Sequence, residues 1–292
     1  MDASVCIDIP PAWERITLSA LSGTLLIVGA PDTGKSTFAR HLYRRLCARH
    51  DRVAFVDGDV GQATLGPPTT MTLALVQGGD DAFPPAGPRF RVFVGAVSPR
   101  GHMLRMLVGA HLLVQKAECE GATAIVFDTT GLVDPAHGGG ALKRAKVDLL
   151  RPSVVVGIQR GGELEHLLVA LRRSRRSRVI DLPPSRVVQR RGVSRRQEHR
   201  AARFGHYFGN ARTLEVNWRH LAVFPTPAFS LCRLVALEDS EGFLRALGIV
   251  VARDLACGTV TLHTPLSSMV DVDAIRMGDL ALDSRTFRES PC

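Results

Sequence analysis

Asparagine is nearly missing from this 292-residue chain, and the two present, Asn210 and Asn217, are followed by Ala211 and Trp218. A switch-type GTPase reads guanine with Asn-Lys-x-Asp, so that class is disfavoured. His-Arg-Asp and Asp-Phe-Gly are both absent, which argues against a protein kinase. The six cysteines are scattered with no Cys-x-x-Cys pair. That argues against a zinc site and a disulfide framework and for a reducing compartment, so the expected location is cytoplasmic. No apolar run reaches the roughly 18 residues that span a bilayer, so no membrane is expected as partner. Met1-Asp2-Ala3-Ser4 has no basic region leading into a long apolar stretch, so no signal peptide is expected. With only two Tyr and two Trp, a base-stacking platform is not legible.

What is present starts with charge. The net charge of +9 and pI near 9.9 favour an anionic partner, and an apolar fraction of 45% allows a sizeable core. The length suits one large or two modest domains. The most informative stretch is Gly29-Ala30-Pro31-Asp32-Thr33-Gly34-Lys35-Ser36-Thr37, which fits G-x-x-x-x-G-K-[ST] at every fixed position. Thr24–Val28 before it reads as a buried parallel strand. Phe38, Leu42 and Leu46 after it give one helical stripe. Strand, Gly-rich loop and helix together aim backbone N–H groups at a polyphosphate. In such a loop Lys35 reaches the β/γ-phosphates and the Ser36 hydroxyl ligates Mg²⁺, so a nucleoside triphosphate is the expected ligand.

A second strand, Arg52–Asp57, ends in Asp57-Gly58-Asp59-Val60-Gly61-Gln62, at the strand edge where open α/β sheets bind ligands. Residues 63–88 read as a long surface loop around a short apolar piece, Met71–Val76. Arg89–Val97 is a strand and His102–Cys119 a helix. Ala124–Asp128 is a buried strand ending in an acid, where P-loop enzymes hold Mg²⁺ or its water shell. A helix at Ala141–Leu150, a strand at Val154–Ile158 and a helix at Glu163–Arg172 continue the alternation, which predicts a parallel sheet with helices on both faces. Two arginine clusters then flank Pro183-Pro184. In the second, a helix from about Ser194 puts Arg196, Arg200 and Arg203 on one face, as a phosphate clamp or as a solvated basic face. From about Thr213 strand-like runs and hairpin connections replace helices. The expected fold is α/β, a P-loop NTPase with a mostly parallel sheet, plus a small C-terminal all-β domain. The expected domains are a lead-in at 1–20, a P-loop domain with arginine lid at 21–210, and a β-rich domain at 211–292.

The loop at 29–38, Asp-Gly-Asp-Val-Gly-Gln at 57–62, Gly-Ala-Val-Ser-Pro at 95–99 and Asp-Thr-Thr-Gly at 128–131 occur together and in order. So do the arginine pair at 196–200 and Arg-Phe-Gly-His-Tyr-Phe at 203–208. The set resembles the polynucleotide 5′-hydroxyl kinases related to the RNA cleavage/polyadenylation factor kinase and its ribosomal-RNA-processing relatives, over roughly residues 20–285. Larger relatives carry an N-terminal β-domain, where this chain has a short lead-in before the first strand. The resemblance implies transfer of the γ-phosphoryl group of ATP, or of another NTP, with Mg²⁺, to the 5′-OH of RNA or DNA. It carries over Lys35 and Ser36 as phosphate and Mg²⁺ contacts within the nucleotide loop, Asp59 as the base, and Asp57 beside it. Gln62, Ser98, Asp128, Thr129 and Thr130 line the acceptor and metal side, with Ser36, Asp57 and Asp128 as the metal set. Arg196 and Arg200 would meet the transferring group. The alternatives are a catalytically inert, nucleotide-gated adaptor in RNA processing, and a small-molecule P-loop kinase.

Overall fold

The structure, a computed structural model, describes residues 9–188 and 192–292. Residues 1–8 of the lead-in and Arg190 and Arg191 of the second arginine cluster lie outside the described residues. The helices are α1 (Pro11–Glu14), α2 (Lys35–Cys47), α3 (Met103–Cys119), α4 (Gly139–Leu150), α5 (Glu165–Ser174) and α6 (Val193–Phe208). The strands up to α6 are β1 (Gly23–Gly29), β2 (Arg52–Gly58), β3 (Thr70–Gln77), β4 (Arg89–Phe93), β5 (Ala124–Thr129), β6 (Val154–Ile158) and β7 (Arg178–Leu182). After α6 come β8 (Arg212–Asn217), β9 (Ala222–Phe224), β10 (Arg233–Glu238), β11 (Leu244–Asp254), β12 (Thr259–Thr264), β13 (Ala274–Leu282) and β14 (Glu289–Pro291). Two compact units result. The first takes the chain up to Asp59 with Leu73–Arg89 and Ala110–Arg191, and the second takes Val60–Thr72, Phe90–Gly109 and Gly192–Cys292.

The first sheet runs β4-β3-β2-β5-β1-β6-β7. Pairing is parallel from β2 through β5, β1 and β6 to β7. Leu25, Leu26, Ile27 and Val28 of β1 are all fully buried, as expected of a strand covered on both faces. The crossover through α2 leads from β1 towards β2, and those through α4 and α5 lead the opposite way. Right-handed crossovers therefore put α2 on one face of the sheet and α4 and α5 on the other. The reversal occurs beside β1, and in open sheets such a switch point opens a crevice at the carboxyl ends of the strands.

One expectation changes here. The stretch read as a loop at 63–88 contains β3, buried along its length except at Gln77. Glycine and proline on both sides hide the strand, and Thr70 and Thr72 break its apolar pattern although both are buried.

In the second unit the strands form a sheet of order β14-β13-β10-β11-β12-β8, with β9 added in parallel to β13. The other pairings are antiparallel. Alternation along β10 serves two cores. Val235 and Leu237 join Val250, Val260, Leu262 and Ile275 on one face. Leu234 and Ala236 join Leu247, Ile249 and Leu282 on the other, where Phe204 and Phe208 of α6 also pack. Phe208 stacks on Phe287 with centroids 6.0 Å apart, and Leu247 N donates to Tyr207 Oη at 2.9 Å. The unit thus combines α6 with the β-rich chain end.

Candidate active site

The first unit assembles its polar groups at one strand edge because register requires it. Asp57 of β2 and Ile27 of β1 both lie opposite Asp128 of the intervening β5. The carboxyl ends of three neighbouring strands therefore deliver the phosphate loop, Asp57 and Asp128 side by side. Gly58 is required here: a Cβ would stand 2.5 Å from Phe127 Cε1 and 2.8 Å from Asp128 O. Asp59 follows one residue on, half-buried, and its N–H donates to Asp57 Oδ1 at 3.3 Å.

Gly29 to Thr37 form the turn from β1 into α2. Gly34 takes φ +86°, a backbone that side chains rarely adopt, and it stands at the N-cap of α2. Lys35 is buried, and its Nζ donates to Ala30 O at 2.7 Å. Thr33 Oγ1 donates to the same carbonyl at 3.0 Å. Beneath the loop, Trp13 meets Phe38 edge-on at 5.2 Å and anchors its Nε1 on Pro183 O at 3.0 Å. The Asp-Thr-Thr-Gly turn abuts the loop closely enough that a Cβ at Gly131 would lie 2.9 Å from Pro31 Cα.

Burial dominates the electrostatics. It lowers the Lys35 ammonium below the ordinary lysine value, against the opposing pull of Asp128, Asp59 and Asp32. It raises the Asp128 carboxyl to about 7, and Asp57 and Asp59 add to the rise while the Ser36 hydroxyl and Lys35 oppose it. Asp128 Oδ1 is buried without a hydrogen-bond partner. Ser36, Asp57 and Asp128 offer only oxygen, the donor type that Mg²⁺ accepts, and a hydrogen-bond-free carboxylate oxygen suits it. Among the described residues no cluster of three or more His, Cys, Asp or Glu could hold a metal by itself. A cation at these oxygens would also draw on water and phosphate.

Sequence reasoning missed two lysines on α4. Lys143 and Lys146 are fully buried. Lys143 Nζ donates to Thr129 Oγ1 at 2.8 Å and to Thr130 O at 2.6 Å. Lys146 Nζ lies 4.7 Å from the centre of the Phe127 ring. Burial lowers it to about 8 while Asp59 pulls the other way. The available signal was two lysines three apart on the helix that follows the Asp-Thr-Thr-Gly turn. Arg160, after β6, was also missed; it donates to Asp32 O in the phosphate loop.

Gln62, Ser98, Arg196 and Arg200 belong to the second unit. Gln62 Nε2 approaches Arg196 O at 3.5 Å. Ser98 Oγ accepts the Arg100 N–H at 3.3 Å. Arg200 Nε donates to Glu289 Oε1 at 2.7 Å, in a pair whose side chains are 12% and 8% exposed. Arg203 Nη2 donates to Thr64 O and Gly66 O at 3.0 and 2.8 Å. The arginine stripe is therefore not a solvated face, since two of its three members are held by neighbours. In the first cluster Arg172 is likewise engaged, with Glu165 at 2.7 Å and Asp181 at 2.9 Å.

Comparison with known proteins identifies relatives of the chain. A polyribonucleotide 5′-hydroxyl-kinase of Thermococcus kodakarensis is 32% identical over 228 residues, covering 78% of this chain and 63% of that protein. One of Pyrococcus horikoshii is 30% identical over 219 residues, covering 75% and 58%. The chain thus spans about three fifths of the length of these curated relatives. The solved structure of a wild-type Clp1p–Pcf11p complex shares the fold, with a TM-score of 0.67 at 11% identity, over 91% of this chain and 76% of the matched one. Residues 29–210, which run from the phosphate loop through α6, match the family model described as mRNA cleavage and polyadenylation factor CLP1 P-loop, and the chain belongs to that family.

Proposed function

We propose that this protein is a polynucleotide 5′-hydroxyl kinase, using Mg²⁺·ATP or another NTP and a 5′-OH end as acceptor. The observation that carries the reading is the convergence of Lys35, Ser36, Asp57 and Asp128 at one strand edge, with Asp59 one residue beyond. The relatives' names make RNA the first acceptor to test.

Phosphoryl transfer needs alignment and neutralisation of charge more than covalent participation. Lys35 neutralises the β/γ-phosphates from the loop. Ser36, Asp57 and Asp128 would hold Mg²⁺, which when bound screens the phosphate oxygens and orients the γ-phosphoryl group. Asp59 is the base: half-buried, with its backbone N–H held by Asp57, it takes the proton of the 5′-hydroxyl as that oxygen bonds to the γ-phosphorus and the bond from the γ-phosphorus to the β–γ bridging oxygen breaks, releasing the nucleoside diphosphate. Thr129 and Thr130 of the first unit are assigned to the acceptor by their place in the Asp-Thr-Thr-Gly motif, and Gln62 and Ser98 of the second unit by theirs alone. Arg196 and Arg200 are assigned to the transferring group by their place in the motif, because a planar guanidinium fork meets two phosphoryl oxygens at once; Arg200, which here engages Glu289 through Nε and Nη2, would have to release that carboxylate to do so. The scattered cysteines without a paired motif suit a reducing compartment, so the proposed substrates are cytoplasmic polynucleotides.

The test is incubation of the pure protein with γ-labelled ATP and 5′-OH RNA and DNA oligonucleotides. Label should appear at the 5′ end and disappear in a folded Lys35→Ala variant. No transfer to any oligonucleotide by a protein that binds Mg²⁺·ATP would leave the inert adaptor as the better reading.

A further inference from the structure

The chain has four lysines, Lys35, Lys116, Lys143 and Lys146, among its 37 basic residues. Three are buried in the first unit, and Lys143 and Lys146 have no exposed surface at all. Lysine is rarely buried completely, because its amine must recover inside the protein the hydrogen bonds it loses to water.

Lys143 recovers them from one short segment. Its Nζ lies 2.8 Å from Thr129 Oγ1, 2.6 Å from Thr130 O and 3.3 Å from Thr130 Oγ1. As an ammonium it has one proton for each of these three oxygens. As an amine, the form that burial and the Lys146 and Lys35 charges favour, it keeps two protons and can accept one from the Thr130 hydroxyl. Either form ties both threonines to α4. Thr129 Oγ1 also donates to Ile27 O at 2.7 Å, so the link continues to β1, two residues before the phosphate loop begins. Lys146, on the same helix and equally buried, has no hydrogen-bond partner at Nζ. Burial of a lysine on α4 therefore does not in itself require this threefold contact.

We infer that Lys143 is a positioning residue: it fixes the Thr129–Thr130 segment, and through it the acceptor side of the proposed site. With no exposed surface, it acts through the threonines and not on a substrate. The kinetic consequences rest on the kinase reading above; the structural role does not.

The test uses Lys143→Met, close in length but without donors, with Lys143→Gln as the second variant if Met prevents folding. Methyl NMR of ¹³C-threonine-labelled protein reads the segment directly. The Thr129 and Thr130 methyl order parameters should fall in Lys143→Met and stay unchanged in Lys146→Met. For a 5′-OH oligonucleotide, kcat/KM should drop at least about tenfold with KM for ATP kept within about twofold, since misplacing reacting groups by an ångström costs up to about 10²-fold. The losses in Lys143→Met and Thr130→Val should not add in the double variant, because one acts through the other. Unchanged threonine order in a folded Lys143 variant, or additive losses, overturns the inference. A wild-type protein that binds Mg²⁺·ATP but phosphorylates no oligonucleotide overturns the kinase reading instead, and the order parameters then decide the role of Lys143 alone.

Discussion

Arg200 sends two donors, Nε and Nη2, to one oxygen of Glu289, so a residue of α6 is held by one 89 positions later in β14. Both side chains are nearly buried. Removing one partner of such a pair leaves the other charge uncompensated, at a typical cost of about 3–5 kcal/mol. Glu289→Ala should therefore lower the unfolding free energy obtained from urea titration by an amount of that order. A change below about 1 kcal/mol would mean the pair is not held in solution. Arg200→Lys keeps the charge but loses the fork, and under the proposed role it should lower kcat at least about tenfold, roughly 1.4 kcal/mol on the barrier. An unchanged kcat for both Arg196→Lys and Arg200→Lys would remove these arginines from the chemistry.

Lys35 and Asp59 separate binding from proton transfer. Lys35→Ala should abolish phosphorylation while the far-UV spectrum and melting profile stay native. Asp59→Asn keeps shape but cannot take a proton, and loss of a general base typically costs about 10²–10⁴-fold. The fall should appear in kcat, with nucleotide affinity largely kept. If Asp57→Asn behaves this way and Asp59→Asn does not, the two roles are exchanged.

The Asp128 carboxyl titrates near 7 in the folded, ligand-free protein, against an ordinary value of 3.8. Between those values the folded state holds a proton that the unfolded chain has released. The contribution of Asp128 to stability therefore falls as pH rises from about 4 to about 7, by at most about 1.4 kcal/mol per pH unit. Asp128→Asn removes this contribution, so the difference in stability between variant and wild type should widen across that window. Parallel curves in urea titrations at pH 5 and pH 7.5 would contradict it.

Lys146 gives the opposite sign. Burial holds it near 8 against an ordinary 10.5, so below about 8 the folded state carries a buried charge with no hydrogen-bond partner. That cost is relieved as pH rises from about 8 to about 10.5. Lys146→Met keeps the packing over Phe127 and should stabilise the ligand-free protein at pH 7 by roughly 1–3 kcal/mol, since apolar replacement of a buried charge is often stabilising. A lower melting temperature would mean that attraction to Asp59 outweighs the loss of water.

Local sequence determined the phosphate loop and the acids at the ends of β2 and β5. Each is written in a few consecutive residues, where glycine, lysine, serine and a strand-terminal aspartate have fixed chemical uses. The strand–helix alternation and the later change to strands were equally local. Tertiary structure alone decided three things. It buried Thr70 and Thr72 inside a sheet, making a strand of what reads as a loop. It turned Lys143 and Lys146 inward, although lysines on a helix ordinarily belong to its solvated face. It also gave Arg200 a carboxylate partner from the far end of the chain. The physical reason is common to all three: a side chain's ordinary charge and polarity follow from its own chemistry, but whether it meets water or a partner, and so whether it keeps that charge, depends on residues that only folding brings near.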